Sequence, residues 1–177
     1  MNDYYNASKD VLIKIEEVSR NRYEEERDRE VSLISQASNM QTVFAVTTAA
    51  LFMVLPEIIS LRGTISLTFI FVSVSIISFF LVLSLVFATI AQWRFVVLNM
   101  PNVNSYVEGF KLHMGEVMDD ERILIVDSIK LYSAIQENKF KFNNKRVRFI
   151  RLSMIAFFVA TFLCLAFFLV GLYIILN

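Results

Sequence analysis

Residues 65–91 read ISLTFIFVSVSIISFFLVLSLVFATIA, an apolar run that contains no charged side chain. A helix rises 1.5 Å per residue, so about 20 such residues cross a hydrocarbon core about 30 Å thick. The serines within the run are compatible with lipid, because a serine can hydrogen-bond to a carbonyl of its own helix. We therefore predict that this stretch is a membrane-spanning helix.

Two more apolar blocks of similar length lie at residues 40–61 and 152–176. Only residues 61–64 separate the first block from the run quoted above, which leaves room for nothing but a tight reversal. The first two blocks should therefore form an antiparallel helical hairpin. Together the three blocks predict an all-α integral membrane protein with three transmembrane helices and cytoplasmic helical extensions.

The composition favours helices over sheets. Only four glycines and two prolines occur, too few for the tight turns of a many-stranded sheet. Hydrophobic residues make up 56% of the chain, above the roughly 45–50% of an ordinary soluble domain. The polar start lacks a basic stretch followed by a short apolar core, so we expect no cleaved signal peptide. The single cysteine, Cys164, excludes an intramolecular disulfide.

The chain divides into four segments by hydropathy. We predict a charged cytoplasmic helix at 1–39, a transmembrane hairpin at 40–91, a cytoplasmic helical stalk at 92–151 and a third transmembrane helix at 152–177. The second spanning helix should continue through Trp93 and Arg94 until Pro101 ends it. Within the stalk, apolar residues at intervals of seven, four, seven and seven predict a packing seam of Leu124, Leu131, Ile135, Phe142 and Phe149.

The second spanning segment carries hydroxyl groups on two faces. At 100° per residue, Ser66, Ser73 and Ser84 share one face, and Thr68 and Ser75 share a nearly opposite one. One interpretation is that each serine bonds to its own helix. The other is a pore-lining or helix-packing role for Ser66, Ser73 and Ser84. Small residues four apart in the third segment, Ala156, Ala160 and Cys164, favour self-association.

Six basic residues crowd the stalk just before the third spanning segment. They are Lys139, Lys141, Lys145, Arg146, Arg148 and Arg151. One interpretation is control of topology together with attraction to anionic lipid. The other is a ligand site for nucleotide or oligonucleotide phosphates, with Phe140 and Phe142 available for stacking.

Nothing in the sequence indicates catalysis. No nucleophile elbow, P-loop, paired-histidine zinc motif or dinucleotide fingerprint occurs. The only histidine, His113, lies near Glu116, Asp119 and Asp120, and a solitary histidine is weak support for a metal site. We expect a protein that is not an enzyme, with no catalytic residue, no bound metal and no cofactor.

Two stretches carry a resemblance to a known group of proteins. They are RNRYEEERDREVSLISQASNMQTVF at 20–44 and SIKLYSAIQENKFKFNNKRVRFIRLSMI at 128–155. With the close spanning pair between them, the chain resembles the small membrane effectors of bacterial antiphage systems controlled by nucleotide signals. These include SLATT-type, Pycsar, CBASS and Hailong-like effectors.

The resemblance implies a homo-oligomer in the bacterial inner membrane that forms a nucleotide-regulated channel or pore and depolarises the cell during phage infection. It also implies a cyclic or linear oligonucleotide ligand, supplied by a companion nucleotidyltransferase or cyclase.

Two alternatives remain open. One is a non-conducting membrane anchor or assembly subunit that recruits soluble proteins, and the other is a holin-like lysis protein.

Orientation follows from the basic residues, which are retained in the cytoplasm. Six lie in residues 1–39, one at the hairpin tip and ten in residues 92–151. We therefore predict that the N-terminus and residues 92–151 face the cytoplasm and that Asn177 faces outside.

In a Cys164→Ala background, the Asn177→Cys variant should react with an impermeant maleimide added from outside, whereas Asp127→Cys should react only after permeabilisation. Labelling of position 177 only from the cytoplasmic side would refute the three-crossing topology.

Overall fold

The computed structural model describes residues 8–60, 66–93 and 121–176 of the chain. These residues form three helices and no strand: α1 (Lys9–Ser60), α2 (Leu67–Gln92) and α3 (Glu121–Leu176). Each helix contains a stretch long and apolar enough to cross a membrane. The prediction of an all-α membrane protein with three transmembrane helices is therefore confirmed.

Helix α1 begins immediately after Ser8, whose carbonyl accepts hydrogen bonds from the amides of Val11 and Leu12 at 3.1 Å. Asp10 in the first turn is favourably placed, because the amino end of a helix carries a partial positive charge. The helix continues past Pro56 to Ser60.

Helix α2 ends earlier than its sequence predicts. The expectation that it continues through Trp93 is wrong, because Trp93 has left the helical conformation with φ −55° and ψ 132°. Its backbone amide bonds to the carbonyl of Ile90 at 3.1 Å, which closes the last turn. The hairpin tip at 61–65, Pro101, His113 and Asn177 lie outside the described residues.

The chain forms two compact units. The first, here called the polar unit, comprises residues 8–31 and 121–144 among those described. The second, the membrane unit, comprises residues 32–60, 66–93 and 145–176. These boundaries follow packing, whereas the four sequence segments follow hydropathy.

The polar unit has a small apolar core at one end of its two helical stretches. Leu12 of α1 is fully buried against Val126 and Ile129 of α3, and Ile15 and Ile125 cover the cluster. Burial of a leucine contributes about 1.5–3 kcal/mol. Tyr23 and Tyr132 continue the interface, with ring centroids 5.9 Å apart. Beyond these rings on α3 the buried residues are Ile135 and the polar Lys139 and Asn143.

In the membrane unit, α2 packs on its neighbours through one narrow stripe. The buried residues of this stripe are Ile70, Ser73, Ile77, Leu81, Ser84, Ala88 and Ala91. Intervals of three and four residues are typical of helices that pack nearly parallel. The predicted small residues Ala156 and Ala160 of α3 are buried within the single chain.

Only part of the predicted stalk seam is deeply buried. Ile135 is fully buried, whereas the other four predicted residues are half-buried. The deeply buried positions near the seam's end fall one residue later, at Asn143 and Ile150. One residue corresponds to 100° of rotation about the helix axis, so the buried face is turned away from the predicted seam. This face carries polar residues such as Asn143, which a search for regularly spaced apolar residues does not find.

Candidate functional site

The fold divides the six basic residues of the predicted phosphate site between two faces of α3. Lys139 and Arg146 are buried, with 6% and 1% of their surfaces exposed. They lie seven residues apart and therefore share one face of the helix. The remaining four are exposed, namely Lys141, Lys145, Arg148 and Arg151. The structure does not bring all six to one surface.

Lys139 forms a buried ion pair within the polar unit. Its Nζ lies 2.7 Å from Oε2 of Glu30, and the two side chains are 7% and 18% exposed. The same ammonium lies 5.9 Å from the ring centroid of Tyr23, within range of a cation–π interaction. Burial of this charge is tolerable because it has both an anion and an aromatic face beside it.

A second polar cluster lies one turn further along α3. The side-chain amide of Asn143, which is fully buried, donates to both the backbone carbonyl and Oε2 of Glu26, at 2.9 and 2.8 Å. Arg29 bonds to Oε1 of Glu26 at 3.3 Å and to Oδ1 of Asn144 at 3.2 Å. The guanidinium also lies 5.9 Å from the ring centroid of Phe140. Phe140 therefore has a partner on α1 within this unit.

The exposed charges of the polar unit pair along their own helices. Lys141 Nζ lies 2.7 Å from Oε1 of Glu137, and this hydrogen bond, with the attraction between the charges, lowers the pKa of the Glu137 carboxyl. Arg20 bonds to Glu24 at 3.2 Å, which raises the pKa of the arginine. Pairs this exposed are screened by water and contribute little to stability.

The predicted serines of α2 have three different environments. Ser66 is exposed immediately before the helix and makes no side-chain capping hydrogen bond. Ser73 is buried and donates to the carbonyl of Phe69 in its own helix at 2.8 Å. Ser84 is fully buried and faces α3. The buried pair, Ser73 and Ser84, therefore lies inside a single chain.

Ser84 and Ser153 clamp α2 to α3. The hydroxyl of Ser84 donates to the carbonyl of Ser153 at 2.8 Å, and the hydroxyl of Ser153 donates to the carbonyl of Ser84 at the same distance. Both residues have no exposed surface. A serine is small enough for the two backbones to approach, and each hydroxyl is satisfied away from lipid.

Helix α1 presents a polar face where it enters the membrane unit. Ser35, Asn39 and Thr42 are exposed and lie at intervals of four and three residues, so they share one face. We call these three residues the α1 polar row. They lie on the side of the helix opposite Ala37, which is fully buried against Ala91 and Ile150.

The polar row adjoins apolar residues of the third predicted span. Ser35 and Asn39 line a groove of about 540 Å³ together with Met154, Phe157 and Phe158 of α3. Among the residues that the structure describes, Asn39 and Ser35 have no hydrogen-bonding partner for their side chains, and Thr42 bonds only to the carbonyl of Ser38 at 3.3 Å.

Sequence reasoning missed Ser153, the acidic partners on α1 and the polar row. For Glu26 alone, a seven-residue count along α1 supplies the missing signal, because Ser19 and Glu26 follow Leu12 at that spacing and Leu33 and Met40 continue it. The count places the carboxylate of Glu26 on the face that carries apolar side chains elsewhere.

No protein-family model, no curated protein and no solved structure matches this chain.

Removing one partner of the buried Lys139–Glu30 pair should destabilise the polar unit much more than removing one partner of an exposed pair on the same helix. The Lys139→Met variant leaves Glu30 without its lysine, and the opening free energy of the unit should fall by roughly 3 kcal/mol. Adding Glu30→Leu removes both charges and should recover most of this loss. Hydrogen exchange of the amides in residues 9–31 and 121–144 measures the opening free energy.

The exposed Lys141–Glu137 pair gives a matched control. Its side chains are 66% and 67% exposed, so Lys141→Met should leave exchange almost unchanged. Equal effects of Lys139→Met and Lys141→Met would contradict the assigned role of burial.

The Ser84–Ser153 clamp should appear as a coupling between two substitutions. In a cycle of Ser84→Ala, Ser153→Ala and the double variant, we expect a coupling free energy of about 0.6–1.7 kcal/mol, the range for hydrogen bonds between membrane helices. Unfolding in mixed micelles titrated with denaturing detergent measures it. Ser73→Ala is the control, since Ser73 bonds to its own helix. A coupling free energy no larger than that between Ser73→Ala and Ser153→Ala would refute the assignment of Ser84 and Ser153 as a stabilising clamp.

Proposed function

We propose that this chain is an oligomeric membrane effector whose copies associate through the α1 polar row and form a channel or pore. The observation that carries the proposal is the exposed Asn39 amide, which shares a groove with apolar residues of the third span. Asn39 is the last residue before the first apolar block, and the hydrocarbon that begins there offers no hydrogen bonds to an amide. A neighbouring copy or a water-filled path would satisfy it.

The opposite character of α3 supports this choice of face. The exposed side chains of α3 beyond its basic residues are bulky and apolar, for example Ile155, Phe162 and Leu165. Contact of such apolar side chains with lipid is favourable, whereas their exposure to water is unfavourable. The exposed Thr161 of the same helix already donates to the carbonyl of Phe157 at 3.0 Å. We infer that these side chains of α3 face lipid and that α1 meets a neighbouring copy at the polar row, beyond which α1 also exposes apolar side chains such as Val46 and Met53.

A single chain leaves much of its spans uncovered. Only 11% of the most apolar windows of α1 and of α3 is buried, compared with 28% for α2. Helix α2 is thus the most enclosed helix of one copy. This favours α1 over the serines of α2 as the surface that meets another copy or a conduction path.

The proposed regulation uses the exposed basic residues of the membrane unit, Lys145, Arg148 and Arg151. They follow one another at intervals of three residues on α3, immediately before the third apolar block. Several positive side chains on one face attract phosphates. The resemblance of residues 20–44 and 128–155 to antiphage effectors supports a cyclic or linear oligonucleotide as the ligand and the bacterial inner membrane as the location.

A non-conducting anchor is the second candidate. The observation that favours it is the exposure of apolar Val11, Ile13 and Val18 on the otherwise charged first turns of α1. Val11 and Val18 line a groove of about 430 Å³ with Ile129 of α3. A soluble partner could dock there without any ion flux.

The decisive experiment measures ion flux through the purified full chain in proteoliposomes, with and without cyclic and linear oligonucleotides. We expect flux from the parent and a large loss of flux and subunit number in the triple variant Ser35→Ala, Asn39→Leu, Thr42→Val. Thr161→Val is the control, because this exposed threonine bonds to its own helix, as Thr42 does. Absence of flux from the parent under every condition would favour the anchor. Unchanged flux in the triple variant would contradict the assignment of the row.

A further inference from the structure

The three helices of the membrane unit leave an elongated cavity between them. Its volume is about 560 Å³, and it is lined by all three helices, including Ala50 of α1, Ile77 of α2 and Ala160 of α3. The space exists because small side chains line it. Phe69 of α2 and Phe167 of α3 meet edge to face, with ring centroids 5.9 Å apart, and this contact separates the two helices. The small residues Ala50, Ala160 and Gly171 do not fill the space that is left.

The cavity presents almost no hydrogen-bonding capacity. The three hydroxyl groups in its wall each donate their only proton to their own helix. Thr47 donates to the carbonyl of Val43 at 2.8 Å, Ser73 to that of Phe69 at 2.8 Å and Thr161 to that of Phe157 at 3.0 Å. A buried water needs two to four polar partners, so an apolar cavity of this kind stays dry. Any occupant must therefore be apolar.

The dimensions of the cavity select one class of apolar occupant. Its lining on α2 runs from Phe69 to Leu81, about 18 Å at 1.5 Å per residue, so the volume corresponds to a mean cross-section of about 30 Å². A helix with side chains is about 10 Å wide, or roughly 80 Å² in cross-section, and does not fit. A single hydrocarbon chain does fit, since its width is set by carbon–carbon contacts of about 4 Å.

We propose that the acyl chain of a bilayer lipid occupies this cavity as a bound component of the membrane unit. The cavity is open at one side, and exposed apolar residues such as Val54, Phe168 and Leu172 lie at its edge. A lipid can thus insert one chain from the bilayer without moving a polar group through hydrocarbon. This site does not depend on whether the protein conducts ions.

Two alanines on α1 provide a matched test. Ala50 is exposed and lines the cavity, whereas Ala45 is exposed on the same helix and does not line it. Leucine at position 50 should occupy the space of the acyl chain, and leucine at position 45 should not. Because both sites are exposed, neither substitution inserts bulk into a closed core.

The full chain, Ala50→Leu and Ala45→Leu are reconstituted in nanodiscs of phosphatidylethanolamine and phosphatidylglycerol, and then transferred to mild detergent for native mass spectrometry. We expect the parent and Ala45→Leu to retain lipid, with retention several-fold lower in Ala50→Leu. Equal retention in the three proteins would overturn the proposal. A change of subunit number in Ala50→Leu without a change in lipid would assign the cavity to a second copy, and would also overturn it.

A second measurement keeps the test independent of how Ala50→Leu folds. Trp93 is the only tryptophan, so Phe167→Trp in a Trp93→Phe background places one fluorophore in the cavity wall. Lipids with brominated acyl chains should quench it saturably when they are a small fraction of the bilayer. Phe162→Trp, on the exposed face of α3, should be quenched only in proportion to that fraction. Proportional quenching at both positions would rule out a bound chain.

Discussion

The absence of hydrogen-bonding solvent in the hydrocarbon core is the constraint on which this structure depends. Helices satisfy the backbone groups of each span internally. The same requirement governs the side chains, since Thr47, Ser73 and Thr161 bond to carbonyls of their own helices. Ser84 and Ser153 instead bond reciprocally across two helices. That clamp combines satisfaction of two polar groups with close approach of α2 and α3, so one interaction serves both stability and register.

The polar unit meets a related requirement with charges. Lys139 and Glu30 are largely removed from water and are therefore paired, and the amide of Asn143 bonds to Glu26 on the same interface. Buried pairs of this kind add less net stability than apolar packing would, but a shift of the helices past one another would separate them. We interpret them as groups that specify which turns of α1 and α3 meet. The apolar cluster around Leu12 supplies the cohesion.

Two surfaces of the membrane unit differ in what they can bind. The α1 polar row offers an amide and hydroxyl groups, which favours a protein neighbour or water as its partner. The cavity between the three helices is apolar and its hydroxyl protons are already donated, which favours hydrocarbon. The helices of one chain can thus distinguish a protein contact from a lipid contact by hydrogen bonding alone. The proposed oligomer and the proposed lipid therefore use separate surfaces.

The sequence alone determined the three membrane spans and the all-α class, because hydrophobic length is a local property that any contiguous stretch displays. It also identified Ser73 and Ser84 as residues of one face, since helical periodicity is local too. Only the tertiary structure separated Lys139 and Arg146 from Lys145, Arg148 and Arg151, and paired Ser84 with Ser153. Burial depends on which face of a helix meets a partner helix. Because each residue is rotated by 100° from the one before it, neighbouring positions can be buried and exposed in turn. The partners themselves lie far apart along the chain, where no local pattern connects them.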